Sequence, residues 1–234
     1  MDSSLLADHA QYLAERLLES LPERWLHTTC VAHHAALLAA RLGVHDSDLL
    51  VAAAWLHDIG YAPAVRQTGF HPLDGARLLD RLGWAPDLSC LVAHHSGARF
   101  VAEVQGLTPA MTEYPFDDSP LMDTLTYADQ TIGPGGRRMT VEERMQEMLR
   151  RHGPGSPNAR ALPRRGPYLR AVAARVQRRL LATANQPLEV GETPPRVSYR
   201  SDTTGRCGDA DRTRRPVHSS ARGASGRRAR PGSQ

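Results

Sequence analysis

The sequence predicts an all-α fold, with one helical bundle domain over residues 1–186 and a disordered tail over residues 187–234. Apolar residues recur at helical spacing through most of the first segment, and no strand-like alternation persists. Leucine and alanine dominate, whereas aromatic residues make up only 5% of the chain, which favours helix. From Pro187 onward arginine, serine, glycine and proline replace the apolar residues, a composition that cannot bury a core.

Start and stop signals divide the first segment into eight predicted helices. Ser119-Pro120 and the Thr140-Val-Glu-Glu143 capping box begin two of them, and Gly43 and Gly83 end two others. The segments 61–70, much of 98–118 and the Pro/Gly/Arg-rich 153–166 are predicted as loops or linkers. The predicted helices span residues 4–21, 27–42, 47–57, 71–82, 86–95, 119–129, 140–152 and 167–184.

The third predicted helix is apolar nearly all round and therefore forms the centre of the bundle. Its segment Val51–Leu56 runs directly into His57-Asp58. Burial of an imidazole and a carboxylate is costly unless they have a partner. We therefore expect other polar side chains to converge on this pair.

The net charge of +4 comes from the tail, which holds ten arginines against five acidic residues. The remaining 186 residues hold 19 arginines and 20 acidic residues, so the core has no basic face that would indicate specific nucleic-acid binding. All 29 basic residues are arginine, which excludes a Schiff-base mechanism.

No apolar run is long enough to span a bilayer, so no membrane association is expected. The first residues, Met1-Asp-Ser-Ser-Leu-Leu, lack the basic region of a secretory signal. The sequence therefore predicts a cytoplasmic protein.

Histidine and aspartate residues recur at the ends of predicted helices, where several elements can converge on one cavity. Any one of them alone is more often a cap or a surface residue. Together they form a nitrogen and oxygen ligand set that suits Fe, Mn, Co, Ni or Zn. The residues in these positions are His27, His57, Asp58, His71, His95 and Asp129.

Three motifs occur in an order that identifies a family resemblance. Trp25-Leu-His27-Thr-Thr-Cys-Val-Ala comes first, Ala54-Trp-Leu-His57-Asp58-Ile-Gly60 second and Tyr127-Ala-Asp129 third. Over residues 21–132 the sequence thus resembles the HD-domain superfamily of metal-dependent phosphohydrolases, whose hallmark is a histidine, an adjacent His-Asp, further histidines and an aspartate. The resemblance implies an HD-type helical bundle.

Two further segments resemble those of superfamily members that bind two metals, namely Phe70-His71-Pro-Leu-Asp-Gly-Ala76 and Val92-Ala-His94-His95. The resemblance implies a second metal held by His71, His95 and a bridging Asp58. The first metal would bind Asp58 and three further ligands, which are His27, His57 and Asp129. His95 is favoured because a Ser-Gly turn follows it, and His94 is the alternative ligand.

The resemblance also implies the reaction. Two divalent transition-metal ions would activate a hydroxide that attacks the phosphorus of a small phosphorylated metabolite or nucleotide, with Asp58 as the central catalytic residue. Arg66 is the first choice to hold the phosphate, and Arg99 is the second. The ligand set also fits a di-iron oxygenase. Such enzymes usually hold their anionic substrate with lysine, which this chain lacks. A non-catalytic metal-binding regulatory module is the third possibility, and the oligomeric state is left open.

Overall fold

The computed structural model describes residues 3–184, with side chains from Leu5 onward, and this part of the chain is an all-α bundle. The predicted tail therefore lies outside the described residues. Between residues 3 and 184 ten α-helices follow one another, with short 3-10 turns at residues 59–61, 95–97 and 134–136. The helices are α1 (Ser3–Leu18), α2 (Pro22–Leu42), α3 (Ser47–Leu56), α4 (His71–Arg81), α5 (Pro86–His94), α6 (Ala98–Val104), α7 (Thr108–Met111), α8 (Pro120–Gln130), α9 (Val141–His152) and α10 (Pro157–Ala184).

Helix α3 lies at the centre, as its composition predicts. It contacts α1, α2, α5 and α8, and every residue from Leu50 to Gly60 is buried. Trp55, the largest of these side chains, stacks on Trp25 of α2 with ring centroids 5.6 Å apart. This packing fixes the end of α3, where the His-Asp pair lies.

Local signals in the sequence explain where several helices begin and end. The hydroxyl of Ser119 accepts a hydrogen bond from the Met122 amide at the start of α8. Thr140 and Glu143 form the predicted capping box of α9. Helix α2 ends at Gly43, whose φ of 60° is the left-handed conformation usual at this position.

Two predicted boundaries were wrong. His27 was expected to open the second helix, but α2 begins at Pro22, so His27 lies in the second turn. The segment 153–166 was expected to be a linker, but α10 begins at Pro157 and continues through Pro163 and Pro167. Buried packing of Ala161, with that of later α10 residues, outweighs the backbone hydrogen bonds that these prolines remove.

The segment 98–118 was expected to be mixed, and it contains the short helices α6 and α7. No helix within residues 3–184 is both long and apolar enough to cross a membrane.

Candidate metal centre

His57 follows directly on α3 and is completely buried. Its Nδ1 lies 2.7 Å from the carbonyl oxygen of Ala54, which can only accept, so Nδ1 carries the proton. In the neutral imidazole, the form that binds metals, Nε2 then presents a lone pair. Among the described residues Nε2 has no hydrogen-bond partner of good geometry, and Asp58 Oδ2 lies 3.3 Å away.

His27, His57 and Asp129 form the first group of candidate ligands. They come from α2, the end of α3 and α8, and their ligand atoms all lie within 4.8 Å of one another. His27 Nε2 lies 3.0 Å from Asp129 Oδ1, and His57 Nε2 lies 3.8 Å from the same oxygen. Residues that are 102 positions apart in the chain thus meet at one point.

Asp58, His71 and His95 form the second group, and their ligand atoms also lie within 4.8 Å of one another. The Nε2 atoms of His71 and His95 are 3.3 Å apart, and Asp58 Oδ1 is 3.3 Å from His71 Nε2. Nδ1 of His95 donates to the carbonyl oxygen of Val92 at 2.7 Å, so its Nε2 also presents a lone pair.

Asp58 lies between the two groups. Its Oδ1 faces His71, while its Oδ2 faces His57 at 3.3 Å and His27 at 3.8 Å. This placement is what a bridging carboxylate requires. Arg24 Nη1 also donates to Oδ2, at 2.6 Å.

His94 points away from this cluster. Its Nε2 lies 2.7 Å from the carbonyl oxygen of Tyr114, and its ring meets the edge of Phe116 with centroids 5.4 Å apart. Of the adjacent pair, His95 alone joins the candidate ligands. The helical path ends between the two rings, because His94 is the last residue of α5 and His95 already has a non-helical ψ of 149°; Ser96, with a φ of 54°, then turns the chain.

The electrostatics favour cations at the cluster. Burial opposes ionisation of Asp58, yet Arg24, His57 and His71 hold the pKa of its carboxyl well below the usual value. Burial likewise opposes protonation of His57, but Asp58 and Asp129 raise the pKa of its imidazole. Burial lowers the pKa of His95 to about 4. Two buried carboxylates thus attract positive charge, while neutral imidazole is available to bind a metal.

This donor set fits divalent transition metals. Imidazole nitrogens together with carboxylate oxygens suit Fe, Mn, Co, Ni or Zn. Nε2 of buried His57 has no hydrogen-bond partner in the described part of the chain, which supports this assignment, because a buried polar atom without a partner is costly.

A hydrogen-bond network around Ser96 holds Asp129 in place, and the sequence did not predict it. The Ser96 hydroxyl donates to Asp129 Oδ2, and Gln130 Nε2 donates to the same oxygen at 2.9 Å. Arg165 of α10 donates from Nε to the Ser96 carbonyl oxygen at 2.8 Å. The Ser-Gly pair after the histidines was the only signal for this network.

Tyr61 packs between the cluster and an arginine. Its ring stacks on His71 with centroids 4.0 Å apart, and the Arg24 guanidinium carbon lies 4.1 Å from its centroid. Burial raises the pKa of the Tyr61 hydroxyl to about 12. Tyr61 thus orients both a candidate ligand and the arginine that binds Asp58.

The cluster opens into a cavity of about 280 Å³ whose wall carries four arginines. Arg165 is buried, and among the described residues no carboxylate forms an ion pair with it; Asn158 accepts from its Nη1 at 3.1 Å. Burial lowers the pKa of its guanidinium to about 10, which leaves it charged at neutral pH. The four are Arg24, Arg144, Arg151 and Arg165.

The two arginines chosen from the sequence have different positions. Arg66 is exposed and lines an adjoining cavity together with Arg24 and Arg144. Arg99 instead lies on aromatic rings, with its guanidinium carbon 3.7 Å from the Phe116 centroid, and lines neither cavity. The position of Arg99 therefore gives no support to its predicted role in holding phosphate.

The family model described as HD domain matches residues 24–153, more than half of the chain. The chain belongs to the HD-domain superfamily. This HD domain includes all six candidate ligands and also α9, with Arg144 and Arg151, beyond the span of the sequence resemblance. The superfamily is one of metal-dependent phosphohydrolases, and the His/Asp cluster has the ligand atoms that could hold a metal ion. No curated protein and no solved structure matched the chain.

Proposed function

We propose that this HD domain hydrolyses a phosphate ester or anhydride of a small metabolite or nucleotide, using two divalent transition-metal ions. One observation carries the proposal, namely that two adjoining groups of three candidate ligands border a cavity lined by four arginines, one group through Asp129 and the other through Asp58, His71 and His95. When bound, such ions activate water near neutral pH and neutralise charge on phosphoryl oxygens.

The protein's own residues would divide the work as follows. His27, His57 and Asp129 would bind one ion, and His71 and His95 the other. Asp58 would contact both ions, because its two oxygens face different groups. Each histidine would bind through Nε2, and backbone carbonyl oxygens fix the orientation of His57 and His95.

The arginines would bind and orient the phosphate. Arg165 is held by the Ser96 carbonyl oxygen and by Asn158 and carries a charge that no carboxylate within residues 5–184 neutralises in an ion pair. A buried guanidinium binds phosphoryl oxygens strongly through charged hydrogen bonds. Arg165 is therefore our first choice for the substrate phosphate at the cluster, ahead of Arg66 and Arg99.

The proposal is tested by metal analysis of protein purified without chelators, followed by phosphate release from a panel of phosphomonoesters and nucleotides. Asp58→Asn should lose metal and reduce kcat/KM at least about 1000-fold, or about 4 kcal/mol of transition-state stabilisation. Asp8→Asn, on the exposed surface of α1, is the matched control and should match the wild type. Metal-free protein, with Asp58→Asn hydrolysing at the wild-type rate, would overturn the proposal.

The same preparation distinguishes the two alternatives. Dioxygen consumption by the iron-loaded protein without phosphate release would assign a di-iron oxygenase. Binding of metal and nucleotide without turnover would assign a regulatory module. The arginine-lined cavity favours the hydrolase, because it provides fixed positive charge for a phosphate.

A further inference from the structure

A second cavity, of about 450 Å³, adjoins the cavity of the metal cluster. His27 lies in its wall, and Arg24, Tyr61, Arg144 and Arg151 line both cavities. We call it the arginine compartment, after the four guanidinium side chains that line it, Arg24, Arg66, Arg144 and Arg151. A ligand with one end at the cluster can therefore extend into this compartment.

The arginine compartment has a surplus of positive charge. Arg144 and Arg151 share one carboxylate, Glu147, which contacts Arg144 Nη1 and lies 3.4 Å from Arg151 Nε. Arg66 has no ion pair with any carboxylate of the described residues. Glu23 is the only acidic residue that lines the compartment within the described part of the chain.

The burial of Arg144 makes this surplus of positive charge costly unless an anion binds. Arg144 is only 7% exposed, and holding guanidinium groups of the same charge together in a confined space is costly. The nearby Arg144 charge, after burial itself, lowers the pKa of the Arg151 guanidinium. A multiply charged oxyanion would relieve this repulsion, and phosphate matches the planar guanidinium in bidentate geometry.

We propose that the arginine compartment binds a second phosphate group of the substrate, so that the substrate carries at least two phosphates, one at the metal cluster and one among Arg24, Arg66, Arg144 and Arg151. This inference rests on the proposed function and narrows it. It favours di- and triphosphates over monophosphates. The four arginines would then act on a group that does not itself react, and would supply affinity and discrimination.

Calorimetric titration of the metal-loaded full-length protein tests this inference. The probes are methylenediphosphonate, which has two phosphonate groups and resists hydrolysis, and methylphosphonate, which has one. The wild type should bind the diphosphonate at least about tenfold more tightly than the monophosphonate. Arg66→Ala and Arg151→Ala should each weaken binding of the diphosphonate about five- to tenfold, and binding of the monophosphonate less than about twofold.

Arg150→Ala is the matched control, because Arg150 is exposed, neighbours Arg151 on α9 and lines neither cavity. It should bind both probes as the wild type does. Because Arg66 and Arg151 are also exposed, neither substitution should disturb folding, and thermal unfolding of each variant checks this.

Equal affinity for the two probes, or an Arg66→Ala, Arg151→Ala double variant that binds the diphosphonate like Arg150→Ala, would overturn the inference. Hydrolysis of phosphomonoesters by a protein that binds both probes equally would support the proposed function and contradict the second phosphate subsite. Tight, arginine-dependent binding of the diphosphonate by a protein without phosphatase activity would support the subsite and contradict the proposed reaction.

Discussion

The Nε2 atoms of His71 and His95 lie 3.3 Å apart, although His71 begins α4 and His95 follows the end of α5. His95 Nε2 carries no proton, because Nδ1 donates to Val92. Asp58 Oδ1 lies at the same distance from His71 Nε2. Three donor atoms thus face one point, and a divalent cation at that point would satisfy all of them.

His71→Ala should remove one of two metal ions and leave the other. His27, His57 and Asp129 form a separate group that does not include His71. Elemental analysis after equilibrium dialysis should show the metal-to-protein ratio fall from about two towards one. His45→Ala, on an almost fully exposed side chain, is the control and should keep the wild-type ratio. Loss of both ions or of neither would contradict the two-group arrangement.

His94→Ala and His95→Ala should affect different properties, the first the stability of the fold and the second metal binding. His95→Ala should weaken metal binding, because it removes a candidate ligand. His94→Ala should leave metal binding intact, but it removes the hydrogen bond to Tyr114 and the packing on Phe116. We expect this second change to cost about 2 kcal/mol of unfolding free energy.

Urea unfolding in the presence of a chelator measures that free energy without the contribution of metal binding. If His94→Ala released metal while His95→Ala retained it, the assignment of the two histidines would be reversed.

Ser96→Ala and Ser96→Gly should both weaken metal binding, by about 10- to 100-fold. Both lose the hydroxyl that donates to Asp129, but only glycine relieves the φ of 54°. The two variants should therefore have similar metal affinity, measured by competition with a chromogenic chelator, while Ser96→Gly should be the more stable to urea. A wild-type affinity in both variants would show that the hydroxyl does not position Asp129.

Gly60→Ala should displace His71. A Cβ atom on Gly60 would overlap the His71 carbonyl oxygen and lie 2.8 Å from the Gly75 backbone nitrogen, and neither backbone atom can move freely. We expect a loss of about 3 kcal/mol of unfolding free energy, together with weaker metal binding. Gly43→Ala is the control for metal binding, because no atom of the described residues lies within 4 Å of its Cβ position. It should lose only stability, as the residue has a positive φ.

The central helix and the candidate ligands were predictable because their signals are local. Val51–Leu56 is apolar on all sides, and His57-Asp58 follows without a break. Helix caps such as Thr140 with Glu143 are likewise encoded within four residues. The family match confirms the predicted resemblance to the HD superfamily.

Apart from Arg66, the cavity arginines were missed because their positions depend on tertiary packing. Arg165 lies in a segment whose prolines indicate a linker, and only the packing of α10 against α6 and α8 brings it to Ser96. Arg24 had a local signal, since it precedes His27 by three residues and therefore lies on the same face of α2. Arg99 was chosen for its proximity in sequence to the histidine pair, but the turn at Ser96 directs it towards Phe116.

His34→Gln should make the protein less sensitive to acid. Burial, followed by the charge of Arg138, lowers the pKa of His34 from 6.5 to about 4 in the folded state. Between these values the unfolded chain binds a proton that the folded protein does not, so the His34 contribution is complete above pH 6.5 and is lost as the pH falls. From pH 7 to pH 5 this loss is about 2 kcal/mol of unfolding free energy.

Glutamine does not titrate, and it keeps an acceptor for Arg138 Nη2, which lies 2.8 Å from His34 Nδ1. Urea unfolding at pH 7 and pH 5, with chelator present throughout, should therefore show a smaller loss for His34→Gln than for the wild type. The two proteins differ only at residue 34, so the difference between their losses isolates His34. His45→Gln, an exposed control, should follow the wild type. Equal losses in His34→Gln and the wild type would show that His34 is not the buried neutral imidazole that the packing of α2 indicates.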